Sequence, residues 1–248
     1  MSGLSECVAL VTGAGGGIGT AICAALEEAG ATVIATDLAA DRRPGAHWFD
    51  LDVTSAEDWG QAMAEVRSRH GRLDILVNNA AIARIAKFED VTIDEWRKTQ
   101  AVNVEGLILG VQAALPLLRE NGGRRRGGAS IVNVSSVAGL VGAAFSSVYC
   151  ATKGAGRMLT KALAAEFIAL KYDIRVNSVH PGAVDTSMRT ASIQSYTDMG
   201  FDMTAALEEY GRVAEPAEIA AGVRFLASDD SSYMNGAELV LDNAFTAR

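Results

Sequence analysis

The sequence predicts an α/β protein: a doubly wound sheet of about seven parallel strands with helices on both faces, in one domain of 248 residues. Three observations predict it. Short β-branched and apolar runs alternate with longer segments of helical period, the pattern of βαβ units in a parallel sheet. A 49% hydrophobic content at this length supplies one large core. No internal repeat, low-complexity segment or linker rich in Pro, Gly and Ser divides the alternation.

In chain order, the first strand, Val8 to Thr12, leads through glycines to a helix over Ile18 to Ala29. A second strand, Thr32 to Asp37, is followed by an interval whose Pro44 and Gly45 leave no room for a full crossover helix, so a loop is expected before the third strand, Trp48 to Leu51. The helix Ala56 to His70 precedes a fourth strand, Ile75 to Asn78. Helical period then runs from Thr92 to Asn103 and on from Glu105 to Glu120. Strand Ser130 to Val134, helix Tyr149 to Leu170 and strand Ile174 to Val179 follow. Pro216 suits the first position of a helix to Ala227, and Leu239 to Leu241 closes the sheet.

A net charge of -8 argues against nucleic acid or an anionic membrane as partner, because both reward a basic surface. Arg124, Arg125 and Arg126 sit among glycines and read as a solvated loop. Cys7, Cys23 and Cys150 are odd in number and far apart, which suggests reduced thiols in a cytoplasm. His47, His70 and His180 lack metal-ligand spacing, so no metal is expected. The N-terminus shows no secretory leader, and no apolar run is expected to span a bilayer.

Tyr149 and Lys153 lie four apart, which places a phenol and an ammonium on one helical face. A fixed positive charge beside a tyrosine, whose free pKa is about 10, favours the phenolate and predicts a proton-transferring group. The turn Thr12-Gly13-Ala14-Gly15-Gly16-Gly17-Ile18-Gly19 joins a strand to a helix start, where amides and the helix dipole hold a pyrophosphate. Asp37, ending the second strand 18 residues beyond Gly19, can accept hydrogen bonds from an adenosine ribose and repel a 2'-phosphate. NAD(H) is therefore expected over NADP(H), with Arg42 and Arg43 the nearby cations that oppose it. Ser136 ends the fifth strand, where its hydroxyl can donate to a substrate oxygen.

Residue by residue, TGxxxGIG at Thr12 to Gly19 and YxxxK at Tyr149 to Lys153 resemble the short-chain dehydrogenases/reductases, a Rossmann-type family. The 13-residue interval from Ser136 to Tyr149 matches that family's, and the resemblance runs from Thr12 to the last strand. It implies that Asp52-Val53 lies beside the adenine, with Asp37 and Leu38 nearby. It implies too that Asn78-Asn79-Ala80-Ala81, with Ala81 where Gly is usual, borders the adenosine, Asn79 tying neighbouring strands. Pro181, Gly182, Val184 and Thr186 resemble PGxxxT, which faces the nicotinamide carboxamide. Asn103 resembles an active-site asparagine at a backbone kink, holding a water that links Lys153 to solvent. Leu241-Asp242-Asn243-Ala244 departs from the usual VDGG, so different packing of the terminal loop is expected.

The resemblance implies hydride transfer between NAD(H) and a secondary alcohol or ketone, with Tyr149 as base and Ser136, Lys153 and Asn103 in support. A segment at about 188–212, with Ile193, Tyr196, Met199, Phe201 and Met203, reads as a mobile apolar lid; Leu140, Val141, Ala143 and Phe145 add apolar surface. The substrate expected is thus a hydrophobic secondary alcohol or ketone, with Arg84 and Lys87 the cations available to a carboxylate. A 3-oxoacyl-thioester reductase and a catalytically silent cofactor-binding regulator are the alternatives. A homotetramer built on the two long central helices completes the expectation.

Overall fold

A computed structural model describes residues 3–38, 47–202 and 211–247. Its strands are β1 (Val8–Thr12), β2 (Thr32–Asp37), β3 (His47–Asp50), β4 (Ile75–Asn78), β5 (Ala129–Val134), β6 (Ile174–Pro181) and β7 (Glu238–Leu241). All pair in parallel, in the order β3-β2-β1-β4-β5-β6-β7. The order reverses between β1 and β4, so the carboxyl ends of those strands flank a crevice, the place where open α/β sheets take ligands.

Helices α1 (Gly17–Glu28), α2 (Ala56–His70), α3 (Ile93–Gln100), α4 (Gly106–Asn121), α5 (Ser147–Ala169), α6 (Ser187–Asp198) and α7 (Pro216–Ala227) complete the described elements. Their ends follow local chemistry. The Ser55 side chain accepts from the Asp58 amide to open α2, and Gly71, at φ +67°, closes it. Thr92 and Glu95 form a reciprocal capping box on α3. Pro216 occupies the first turn of α7, behind a Glu215–Glu218 box.

Successive strand residues point to opposite faces, and each face has its own core. Ala9 and Val11 of β1 join Val77, Val132 and Val179 beneath Ile22, Cys23 and Leu26 of α1 and Val223 and Leu226 of α7. Val8 and Leu10 join Leu76, Ile131 and Val176 against Trp59 and Val66 of α2, Val111 and Leu117 of α4 and Phe167 of α5. Helix α6 contributes no buried residue to either core.

The helical run Ile93–Arg124 holds an 18-residue window of mean hydropathy 1.6, long and apolar enough to cross a membrane by length and composition. Here Gly106, Gly110, Val111, Ala114, Leu117 and Leu118 of that run are buried, with α4 lying against β4, β5 and α2. Gly110 matters to that fit, since a Cβ there would stand 2.8 Å from the Trp59 ring and 2.9 Å from Asn78 Oδ1.

Candidate active site

A cavity of about 690 Å³ opens at the carboxyl ends of the strands. Of the residues that the sequence assigned to cofactor or chemistry, most line it; Thr12, Ala14 and Gly15 of the turn, Asn78 and Asn103 do not.

The glycine turn is built for close approach. Gly13 sits at φ +65°, and a Cβ there would lie 2.8 Å from Ala80 Cα, while one at Gly19 would run into the Gly13 carbonyl. Helix α1 starts from Gly16 with no side-chain cap and no acidic residue in its first turn, which leaves its positive end to an external anion. The Asp37 carboxylate accepts from the amides of Gly15 at 3.0 Å and Leu38 at 2.7 Å, fixing it beside the turn. Asp52 lines the cavity, and its Oδ1 accepts from the amide and hydroxyl of Thr54. Asn79 donates to the carbonyls of Thr12 and Gly13, each at 3.0 Å, bridging the ends of β1 and β4. Ala81 lines the cavity without adopting a positive φ, so the local backbone needs no glycine. Arg42, Arg43 and Met203 lie outside the described residues.

Asn78 is placed differently from expectation. Its side chain is buried and donates to Asn133 Oδ1 at 2.9 Å, and Asn133 in turn donates to Thr160. It is therefore a tie between β4, β5 and α5 rather than a wall of the cavity. Asn103 lies within a π-helical turn, Ala101–Glu105, where the widened coil breaks the α3–α4 run. Its amide exchanges hydrogen bonds with the Ile82 backbone and donates to Thr152 Oγ1 at 3.0 Å. Thr152 donates to the Tyr149 carbonyl, so Asn103 reaches the catalytic helix through the first turn of α5.

Ser136, Tyr149 and Lys153 come together on the cavity wall. The Ser136 hydroxyl stands beside the Tyr149 phenol, close enough to lower its pKa, and accepts from the Ala138 amide at 3.1 Å. Lys153 Nζ lies 5.6 Å from the Tyr149 ring centroid and donates to the Val134 carbonyl at 2.9 Å. Ser135 instead buries its hydroxyl against the Lys153 carbonyl.

The electrostatics reverse the expected direction. Burial pushes the Tyr149 phenol up to about 12, against a smaller lowering by the Ser136 hydroxyl. Burial also holds the Lys153 ammonium down to about 8. The spacing of four sets the pair on one face, but desolvation, not the partner's charge, sets the direction of both shifts in the chain alone.

Helix α6, not foreseen, roofs the cavity with Met188, Ser192, Ile193 and Tyr196. Tyr196 donates to the Ala144 carbonyl at 2.8 Å and packs edge-on to Phe145, which also meets Phe201. Val141 and Ala143 line the cavity, whereas Leu140 and Phe145 stand behind it. Thr186 Oγ1 caps α6 by accepting from the Arg189 amide, and its methyl lies against Gly17. Arg189 also lines the cavity, and its Nε is buried without a hydrogen-bond partner. An unspent cationic donor beside an uncapped helix start and a glycine cradle fits the anionic middle of a dinucleotide. Nothing in the sequence marked Arg189, because the segment that presents it reads there as an apolar lid, defined by Ile193, Tyr196 and its other apolar residues.

In the terminal loop, Asn243 and Ala244 hold positive φ values of +52° and +65°, the conformations that the usual glycines would adopt freely. The Asp242 carboxylate secures the loop by accepting from Ala244 and Thr246.

A sheet that reverses at β1/β4 and spends its strand ends on one cavity defines a dinucleotide-binding oxidoreductase of the Rossmann type. The sequence model of a family described as "Enoyl-(Acyl carrier protein) reductase" matches residues 13–246. A cyclopentanol dehydrogenase of Comamonas sp. is 38% identical over 260 aligned positions, covering all of both chains. A trans-4-hydroxycyclohexanecarboxylate dehydrogenase of Sinomonas cyclohexanicum is 40% identical, covering 98% of this chain and 94% of that one. The ligand-free structure of an aldohexose dehydrogenase from Thermoplasma acidophilum superposes with a TM-score of 0.88 at 29% identity, covering 99% and 96% of the two chains. The chain belongs to the short-chain dehydrogenases/reductases, oxidoreductases that use nicotinamide cofactors.

Proposed function

We propose that the protein is an NAD-dependent dehydrogenase of hydrophobic, cyclic secondary alcohols, with Tyr149 as general base. The observation that carries this reading is the convergence of Ser136, Tyr149 and Lys153 on the wall of a cavity whose roof is largely apolar. Ser136 donates to the substrate oxygen and holds it against the phenol. Tyr149 Oη takes the hydroxyl proton. Lys153 keeps two N–H donors beyond the one given to Val134, enough for the hydroxyls of a nicotinamide ribose. The bound oxidised nicotinamide supplies the hydride acceptor and a positive charge beside the phenol, the term that the chain alone lacks. Asn103 supports proton exchange between Lys153 and solvent from its place on the π turn. Asp37 favours an unphosphorylated ribose, and hence NAD. Val141, Ile193 and Met188 favour an apolar ring on the substrate, in keeping with the cyclic alcohols named for two relatives.

Exposed Ile108, Met158 and Ile168 on α4 and α5 support assembly into a tetramer through those helices. Cys7, Cys23 and Cys150 form no disulfide, which suits a reducing cytoplasm.

The test is a panel of cyclopentanol, cyclohexanol, a hydroxysteroid and a short 3-oxoacyl thioester with NAD(H) and NADP(H), on wild type and Tyr149→Phe. Cyclic alcohols should be oxidised with NAD, and Y149F should bind NADH normally while turning over at least about 1,000-fold more slowly. Turnover of the thioester alone, or substantial oxidation by Y149F, would sink the reading.

A further inference from the structure

We propose that His180 is a positioning residue for the reaction: its imidazole, protonated at Nδ1 and bare at Nε2, clamps the Ser136 peptide to the sheet and so aims the Ser136 hydroxyl. This rests on the role given to Ser136 above.

His180 is the penultimate residue of β6 and has no solvent exposure. Both ring nitrogens have partners. Nδ1 lies 3.1 Å from the Ser136 carbonyl oxygen, and Nε2 lies 2.8 Å from Ser178 Oγ. A carbonyl can only accept, so Nδ1 carries the hydrogen. The Ser178 hydroxyl has one hydrogen and lies 2.8 Å from Nε2 against 3.4 Å from the Ala237 carbonyl, so the shorter contact assigns that hydrogen to Nε2 as acceptor. That arrangement is the neutral ring, in keeping with the lowering of the His180 pKa by burial.

Ser136 needs such a clamp because it stands two residues past the end of β5, where ladder bonds stop. The last of these joins the Ser135 amide to the Val179 carbonyl. The Ser136 carbonyl accepts from two donors, Gly139 N–H at 2.9 Å and His180. The first is local and closes the turn Val137–Gly139 that Ser136 itself caps. The turn also packs on α5, where a Cβ at Gly139 would stand 2.8 Å from the Lys153 carbonyl, but that packing gives the Ser136 peptide no hydrogen bond to the sheet. The second bond comes from another strand, whose backbone is held in register with β7 at His180↔Val240. It therefore sets the turn, and the hydroxyl that meets Tyr149, relative to the sheet. His180 does not line the cavity and touches no reacting atom. Its residue type was unremarkable in sequence, being a buried histidine without metal-ligand spacing.

The test compares His180→Asn, His180→Gln and His180→Leu, with cyclopentanol and NAD as probe substrates. Asparagine places its Nδ2 where the histidine Nδ1 stands and keeps the donor to Ser136. Glutamine reaches toward Ser178 and loses it. H180L and H180Q should lower kcat about tenfold or more, with the NADH Kd, read by fluorescence titration, within about twofold of wild type. H180N should keep at least about a third of the wild-type kcat. In a Ser136→Ala background, H180L should cost no further turnover, which a general loosening of the fold would not reproduce. Should H180L fail to fold, the H180N and H180Q pair carries the comparison. The inference is overturned if H180Q or H180L turns over like wild type while S136A is slow, if H180N is as slow as H180Q, or if H180L slows S136A by the same factor as wild type. A fully active S136A would instead remove the reading of Ser136 on which the inference stands.

Discussion

Replacing Lys153 with Met should stabilise the ligand-free protein at neutral pH while removing its activity. The ammonium sits in a residue only 6% exposed, and burial takes its pKa from 10.5 to about 8. At about 1.4 kcal/mol per unit, that shift corresponds to a cost of about 3 kcal/mol for carrying the charge in the fold. Methionine fills a similar volume without charge but leaves the Val134 carbonyl without its Lys153 donor, which returns about 1 kcal/mol. The variant should thus gain about 2 kcal/mol at pH 7. The sign with pH follows from proton counts. Between pH 8 and 10.5 the unfolded lysine holds its proton more than the folded one does, so wild type gains stability as pH rises through that window. Below pH 8 the full penalty is present. The gap between variant and wild type should therefore close to near zero by about pH 10, and shared groups such as Cys7 cancel in the difference. Urea unfolding of both proteins without ligand, at pH 7 and pH 10, reads the effect. A variant less stable than wild type at pH 7, or a gap that stays constant with pH, would refute the account of Lys153 as a charge held in the fold at a cost.

Asp37→Ser should lower kcat/KM for NAD at least about tenfold and improve the use of NADP, since it removes the cavity-lining carboxylate proposed to meet the ribose and oppose a 2'-phosphate; an unchanged cofactor ratio would refute the assignment. Gly19→Ala should weaken NADH binding at least about tenfold, because its Cβ and the Gly13 carbonyl cannot occupy their present places together. Titration of NADH fluorescence against G19A checks it, and wild-type affinity would show that the turn can yield without loss.

The elements were legible because their signals are local. Val8–Thr12, Thr32–Asp37, Ile75–Asn78, Ala56–His70 and Pro216–Ala227 have the bounds that their apolar runs and caps predict. Helix α6 was not legible: its apolar residues serve a cavity roof rather than a core, so it buries no residue and shows no helical stripe. Asn78 was misplaced for a related reason. Adjacency to Asn79 says nothing about which amide turns inward, and alternation along β4 sends Asn78 toward Asn133 while Asn79 leaves the strand for Thr12. The spacing of Tyr149 and Lys153 fixed their adjacency on a helix. It could not fix their depth, which is a tertiary property and which decides the direction of both pKa values.

That depth bears on how the site would be switched on. With a phenol near 12 and an ammonium near 8, the chain alone favours the uncharged form of Tyr149 and leaves Lys153 mostly charged at pH 7. On the proposed function, Tyr149 would become a proton acceptor only with further positive charge nearby, which a bound oxidised nicotinamide would supply. Oxidising an alcohol needs that form of the cofactor and a phenolate; reducing a ketone needs the reduced form and a protonated phenol. If Tyr149 is the base proposed above, the same burial would match its proton state to the redox state of the cofactor, so that each direction would find its acid or base in place.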